Sequence, residues 1–564
     1  MPTTYDLKSV KMPRLAGKSL NLFAALVESE LAGRAFRQRI LASGGLLRAR
    51  QTPLEEAPTF LPLAPGPVRR PQEAKAPLAL EPILVPPRPA APFVPARDYA
   101  AAYREGRTTP LRVANAVLEA IDESEACTPA LRAFVALDRD DLARQAALST
   151  ERHRQGAPLG PLDGVPVAIK DELDQVPYST SGGTRFYGKR RPSRDATTVA
   201  RLRAAGALLV GKTNMHEIGI DPTGSNVHFG QNRNPYDPSR DTCGSSSGSA
   251  TAVSAGLVPL ALGADGGGSV RIPSALCGVV GLKPTFGRLS EQGAMPLCWS
   301  VAHIGPIGAT AEDVALAYAA VAGPDADDPG TLAQPAPTLE GWDAADLRGV
   351  RLGVYPAWFE HASPEVVRVA RSAVDALVGA GAQLREIEVP DLDLMRVAHA
   401  IIILSEMATS MADFPEDRHL LGSSVRLTLA ATRELRPSDY VWAQRVRTRA
   451  LAHFARLFGE VDAIVTPSTA ITAPVLPAAA GSGGWSDLSC TTELMRYAFP
   501  GNLAGLPAIS FPAGYDSSGL PVGLQAIANH WNEALLLRLA RIAGTLVERH
   551  VPARIHRPLA KATS

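Results

Sequence analysis

Three groups of residues stand out by type and spacing. They are Lys170, the serine run Ser245–Ser249 broken by Gly248, and Ser269 behind Gly266, Gly267 and Gly268. Lys170 closes the apolar run of "GVPVAIKD" (164–171). Burial disfavours an ammonium ion, so a lysine there can act in its neutral form as a general base. It can equally be a structural lysine paired with Asp171 or Glu172. Ser269 sits inside "GADGGGSVRIPSALCG" (263–278). Consecutive small residues let backbone N–H groups converge on one point, and such donors at a helix start suit an oxyanion. Ser269 then reads as a nucleophile, with the N–H groups of Gly266, Gly267, Gly268 and Ser269 as its oxyanion hole. The plain alternative is a Gly-rich turn in which Ser269 caps a helix. Asp265 and Arg271 flank this segment; they form either an ion pair that holds the loop or a solvated pair of charges.

The run "CGSSSGSAT" (243–251) has the composition of a flexible linker. It also matches the G-x-S-x-G nucleophile elbow with Ser246 at its centre, but that elbow follows a buried strand. The preceding "NRNPYDPSRDTC" is polar and broken by prolines, which disfavours a triad built on Ser246. "GALLVGKT" (206–213) satisfies the phosphate-loop pattern, yet its middle is apolar and strand-like where a cradle needs free N–H groups. Lys212 is expected to be a structural or surface residue at a strand end.

These residues need elements to position them. Buried strands are expected at "GVPVAIKD", "ALLVGKT", "LPLALGAD", "VDAIVTP" and "PAISFPAGY", and helices at "DATTVARLRAAG" and "SATAVSAGL". A helical region is expected over 397–456. Alternation of strands and helices predicts an α/β fold with a largely covered sheet. The catalytic body is expected over 98–564, with a clean helix start at Thr109 and Pro110. Residues 1–97 form an extension. Residues 18–50 have helical spacing and carry Arg34, Arg37, Arg39, Arg48 and Arg50. A basic amphipathic helix of this kind lies on a membrane surface or docks on its own protein. Prolines recur from Pro53 to Pro95 among apolar residues, which suggests an extended strap packed along the body.

Bulk composition excludes several classes. Lys and Arg number 57 against 56 Asp and Glu, and aromatics are 5%, so no nucleic-acid footprint is expected. Five widely spaced cysteines give neither a disulfide framework nor a zinc site. No apolar signal segment opens the chain, and the cytosol is the expected compartment. No cofactor or metal is implied.

Taken together, "GVPVAIKD", the block Gly244–Ser290 and "GLPAISFPAGYDSSGLPVGLQ" (505–525) resemble the amidase signature family. The resemblance implies a large α/β fold with a central mixed sheet covered by helices on both faces. It implies Lys170 as base, Ser269 as nucleophile, and a bridging serine 24 residues before it, Ser245, preceded by a cis peptide bond. Ser246 would support the loop, and Ser247 stands where many relatives have glycine. Thr184 and Met215 would border the pocket. A closer resemblance is to the plant-type fatty acid amide hydrolases, through "GGT" (182–184), the triple serine, "DGGGSVRIPSALCG" and the "MPRLAGKSLNLF" text of the extension. It implies hydrolysis of N-acyl amides such as N-acylethanolamines. A homodimer and peripheral membrane contact through the N-terminal helix are further implied. Cys243 departs from the usual glycine. Amidases of small aryl or aliphatic amides, or a glutamine-amidase subunit that passes ammonia to a partner, are the alternatives.

Overall fold

The computed structural model describes residues 5–10, 12–63, 80, 92–189 and 191–564. The apolar runs singled out above form the middle of one mixed sheet. Its strands are β1 (Phe134–Leu137), β2 (Pro166–Lys170), β3 (Leu208–Thr213), β4 (Leu260–Ala264), β5 (Val280–Lys283), β6 (Ile304–Gly308), β7 (Arg351–Val354), β8 (Gln383–Glu386), β9 (Ala463–Pro467), β10 (Ala508–Tyr515) and β11 (Pro521–Ala528). They lie side by side in the order β1-β3-β2-β4-β6-β5-β10-β11-β9-β7-β8. β2 runs parallel to β3 and β4, and β7 runs parallel to β8 and β9; the other pairs are antiparallel. Every residue of β2, β3 and β4 is buried, as their unbroken apolar text requires of strands covered on both faces.

Six helices bear on the site: α1 (Gly17–Glu28), α2 (Gly33–Ser43), α3 (Ser247–Ser254), α4 (Arg271–Leu276), α5 (Leu392–Ser410) and α6 (Pro437–Glu460). Side chains alternate across a strand, and the sheet separates two cores on that basis. Ile464, Ala508 and Ile527 join the core under α5 and α6. Their neighbours Val465, Ile509 and Ala526 join the other core, with helices Pro364–Gly379 and Glu533–Leu546. α5 is long and apolar enough to cross a membrane by composition, yet Val397, Ala398, Ile401 and Ile402 are buried in this core. Thr109 caps the helix Pro110–Ala126 by accepting from the Arg112 N–H, with Pro110 at its first turn.

The serine run is not a linker. All eight residues of α3 are buried, and only small side chains allow that. Gly248 shows the limit: a Cβ there would sit 2.3 Å from the Ala133 carbonyl oxygen and 2.4 Å from the Asn214 nitrogen.

The extension differs from a single helix. α1 ends at Glu28 and α2 starts at Gly33, followed by a tight turn at Leu46–Arg50. The break is bridged by buried Arg37, whose Nη1 donates to the Val27 and Ser29 carbonyls, and the Ser29 carbonyl also accepts from the Gly33 N–H. Leu20, Ala24 and Val27 pack on Leu427 and Ala430, so α1 docks on the chain's own body. Leu22, Leu26 and Leu31 face outward. The strap runs along α6 from Pro53: Thr59 N donates to Gln444 O at 3.1 Å, and Arg449 pairs with Glu56 at 2.6 Å. Most of the remaining proline-rich stretch lies outside the described residues.

Candidate active site

Parallel β2, β3 and β4 end at one edge of the sheet, where loops can converge. Lys170 ends β2 and is fully buried. Its Nζ donates to Ser245 Oγ at 2.9 Å and to the Ala264 carbonyl at 3.3 Å, and it pairs with Glu172 Oε2 at 2.7 Å. The Gly244–Ser245 peptide bond is cis. The lysine therefore has a carboxylate partner, as the structural reading expects, and it also faces the serine loop. The partner is Glu172. Asp171 turns the other way, toward Ser181 and the buried Lys212, 3.6 Å away. Lys212 is thus structural and not at the surface, and its whole strand is buried, which removes the phosphate-loop reading.

Ser246 ties the serine loop to Ser269. Its hydroxyl donates to the Ala264 carbonyl at 3.1 Å and accepts from the Ala264 N–H at 3.2 Å. Its own N–H donates to the Ser269 carbonyl at 3.1 Å. Ser247 donates to Asn232 Oδ1 at 2.7 Å. Ser269 Oγ has no hydrogen-bond partner among the described residues. Cys243 adopts a left-handed φ of 61°, the conformation that favours glycine, and fits a small apolar cluster with Ile272 and Leu276.

The glycine loop is held by Asp265. Its buried carboxylate accepts from the N–H groups of Gly268 (2.6 Å) and Val270 (3.1 Å), from both Nε and Nη2 of Arg271 (3.0 Å each), and from Asn502 Nδ2 (2.9 Å). Burial alone would raise this carboxyl, but the Arg271 guanidinium and these donors hold it well below the usual carboxylate range. The pair is buried, not solvated. Arg271 also donates to Gln525 Oε1 at 2.7 Å, which is how the block 505–525 reaches the site.

Two expectations need correction. α4 opens at Arg271 and not at Ser269, because Asp265 ties the intervening N–H groups into a turn. The Gly268 N–H is committed to Asp265, so it is not an oxyanion donor. The N–H groups of Gly266, Gly267 and Ser269 have no partner among the described residues, and each is aimed by the carbonyl before it. A trans peptide points its C=O and N–H in opposite directions. The Asp265 carbonyl accepts from Asn502 Nδ2 at 2.8 Å, the Gly266 carbonyl from His399 Nε2 at 2.8 Å, and the Gly268 carbonyl from the Ile272 N–H at 2.7 Å. Burial pushes the His399 imidazole down to about 4, so it stays neutral and carries the donated hydrogen on Nε2. Space is tight here: a Cβ on Gly266 would meet Cys298 Sγ at 2.9 Å, and one on Gly267 would meet Met495 Cε at 2.7 Å, so these side chains would have to shift.

A cavity of about 400 Å³ adjoins the lysine side of the loop, walled by Glu172, Ala264, Leu297, Cys298, Trp299 and His303. Thr184 and Met215 are fully buried and do not line it. Among the described residues no cluster could hold a metal ion.

Residues 115–537 match the amidase family model. The chain belongs to the amidase signature family. This amidase is 39% identical to the fatty acid amide hydrolase of Arabidopsis thaliana, over 95% of its own length and 93% of the relative's. It is 44% identical to the fatty acid amide hydrolase of Medicago truncatula, over 79% and 75%. A glutamyl-tRNA(Gln) amidotransferase subunit of Chloroflexus aurantiacus is 36% identical over 80% of this chain and 96% of that protein. The fold is that of the Stenotrophomonas maltophilia peptide amidase, with a TM-score of 0.69, 29% identity, and coverage of 83% of this chain and 99% of that one. Amide hydrolysis is thus the chemistry of this amidase, on an α/β fold with a large mixed sheet flanked by helices.

Proposed function

We propose that this amidase cleaves fatty acyl amides of the N-acylethanolamine type through an acyl-enzyme on Ser269. The observation that carries the mechanism is the buried hydrogen bond from Lys170 to Ser245, beside three N–H groups without a partner among the described residues. Lys170 takes the Ser245 hydroxyl proton as Ser245 takes that of Ser269. Ser269 Oγ then bonds to the amide carbonyl carbon, and the N–H groups of Gly266, Gly267 and Ser269 hold the oxyanion. Each such donor contributes about 3–4 kcal/mol to lowering the barrier. The proton returns through Ser245 to the leaving nitrogen, the C–N bond breaks, and water later cleaves the ester.

The fatty-amide substrate is supported by likeness. The Arabidopsis and Medicago fatty acid amide hydrolases are 39% and 44% identical to the chain, and the Chloroflexus amidotransferase protein 36%. A panel of ethanolamides of increasing acyl length tests it. Each newly buried CH₂ adds about 0.8 kcal/mol, so kcat/KM should rise roughly tenfold per two methylenes until the pocket is filled. Higher kcat/KM on short aryl amides or on glutamine would overturn the fatty-amide reading.

A further inference from the structure

Glu172 takes no part in the proton transfers above, yet it touches the base. Lys170 Nζ donates to Ser245 Oγ and the Ala264 carbonyl, and Glu172 Oε2 lies 2.7 Å from it in ion-pair contact. Of these three neighbours, Glu172 is the one whose side chain is a carboxylate. Its side chain is 8% exposed, and Oε2 makes no hydrogen bond among the described residues, so its contact with Lys170 is an ion pair.

The surroundings leave the pair undisturbed. Glu291, Cys298 and His303 share the cavity wall with Glu172, and Glu406 approaches from α5. Burial first, then Asp328, Glu172 and Glu406, raises the Glu291 carboxyl. Burial and Glu406 raise the Cys298 thiol. Burial and Lys283 keep His303 neutral. Glu406 is engaged by Ser300 and Tyr440. Asp171 is engaged by Lys212 and Ser181. Lys170 is therefore the one cation in ion-pair range of Glu172 among the described residues.

We infer that Glu172 is a positioning residue of the reaction, whose carboxylate fixes Lys170 against Ser245 and stabilises the ammonium that forms as the lysine takes up the serine proton. Nothing is transferred to Glu172: the N–H bond forms on Lys170 and breaks again when the leaving nitrogen is protonated. The inference rests on the proposed role of Lys170 as base. A charge placed in a buried site where the transition state develops the opposite charge acts on kcat and not on substrate binding.

The test is a double-mutant cycle on the full chain with Glu172→Gln, Glu172→Asp and Lys170→Ala. Glu172→Gln keeps the shape and removes the charge. It should lower kcat about 10–100-fold with KM changed less than about twofold, a fraction of the general-base contribution. Glu172→Asp should recover part of the loss. In the Lys170→Ala background, Glu172→Gln should add less than about twofold, since its effect passes through the lysine. Equal losses from Glu172→Gln with and without Lys170, or an unchanged kcat, would overturn the inference. If instead Lys170→Ala is itself fully active, the base assignment fails and not merely the role of Glu172.

Discussion

Ser269→Ala is expected to lower amide hydrolysis by about ten-thousand-fold or more, with the unfolding transition unchanged. The magnitude follows from the role: removing a nucleophile abolishes the covalent route, and only positioning and oxyanion stabilisation remain. The fold is expected to tolerate the change. Ser269 Oγ holds nothing in place, because the loop is tied by the Ser269 carbonyl to Ser246 and by its neighbours to Asp265. Steady-state kinetics with a fluorescent amide, alongside circular dichroism, check it. A variant retaining a tenth of the rate would remove Ser269 as nucleophile, since a tenfold loss is only about 1.4 kcal/mol.

Asp265→Asn is the second large effect, and it acts on stability. The substitution keeps volume and removes the charge facing Arg271, whose guanidinium is 1% exposed. Stranding one member of a buried pair costs about 3–5 kcal/mol. The amide also cannot accept at every place where the carboxylate accepts from Gly268, Val270, Arg271 and Asn502. The loss should appear in urea denaturation, together with loss of activity as the glycine loop relaxes. A variant within about 1 kcal/mol of the parent would show that the pair does not hold the loop. The pH behaviour follows from the sign. The folded-state carboxyl lies below its unfolded value, so the contribution is fully present above about pH 4 and is lost only as pH falls toward the lowered value.

How much was legible in the sequence depended on range. Strands β2, β3 and β4 were readable because full burial writes itself as unbroken apolar text. The small residues of α3 were readable as an ordered loop because they lead straight into a strand. The start of α4 was misplaced by two residues, because Asp265 reaches forward to bond the N–H groups of Gly268 and Val270. That same carboxylate removed Gly268 from the oxyanion donors. The choice of Glu172 over Asp171 had no local signal: β2 ends at Lys170, and residues 171 and 172 lie in the turn that follows. His399, Asn502 and Gln525 act at Gly266, Asp265 and Arg271 from more than 100 residues away, and nothing local marked that reach. A lone histidine in the apolar text of α5 was the only hint of the first.

The central claim is that Ser269, and no other serine of this loop pair, carries the acyl group. The most direct measurement is labelling of the intact protein with a long-chain alkyl fluorophosphonate, followed by peptide mapping of the modified residue by mass spectrometry. The expected result is a single phosphonylated serine, Ser269, and no labelling of Ser269→Ala. Modification of Ser245 or Ser246 in its place, or undiminished labelling of the variant, would contradict it.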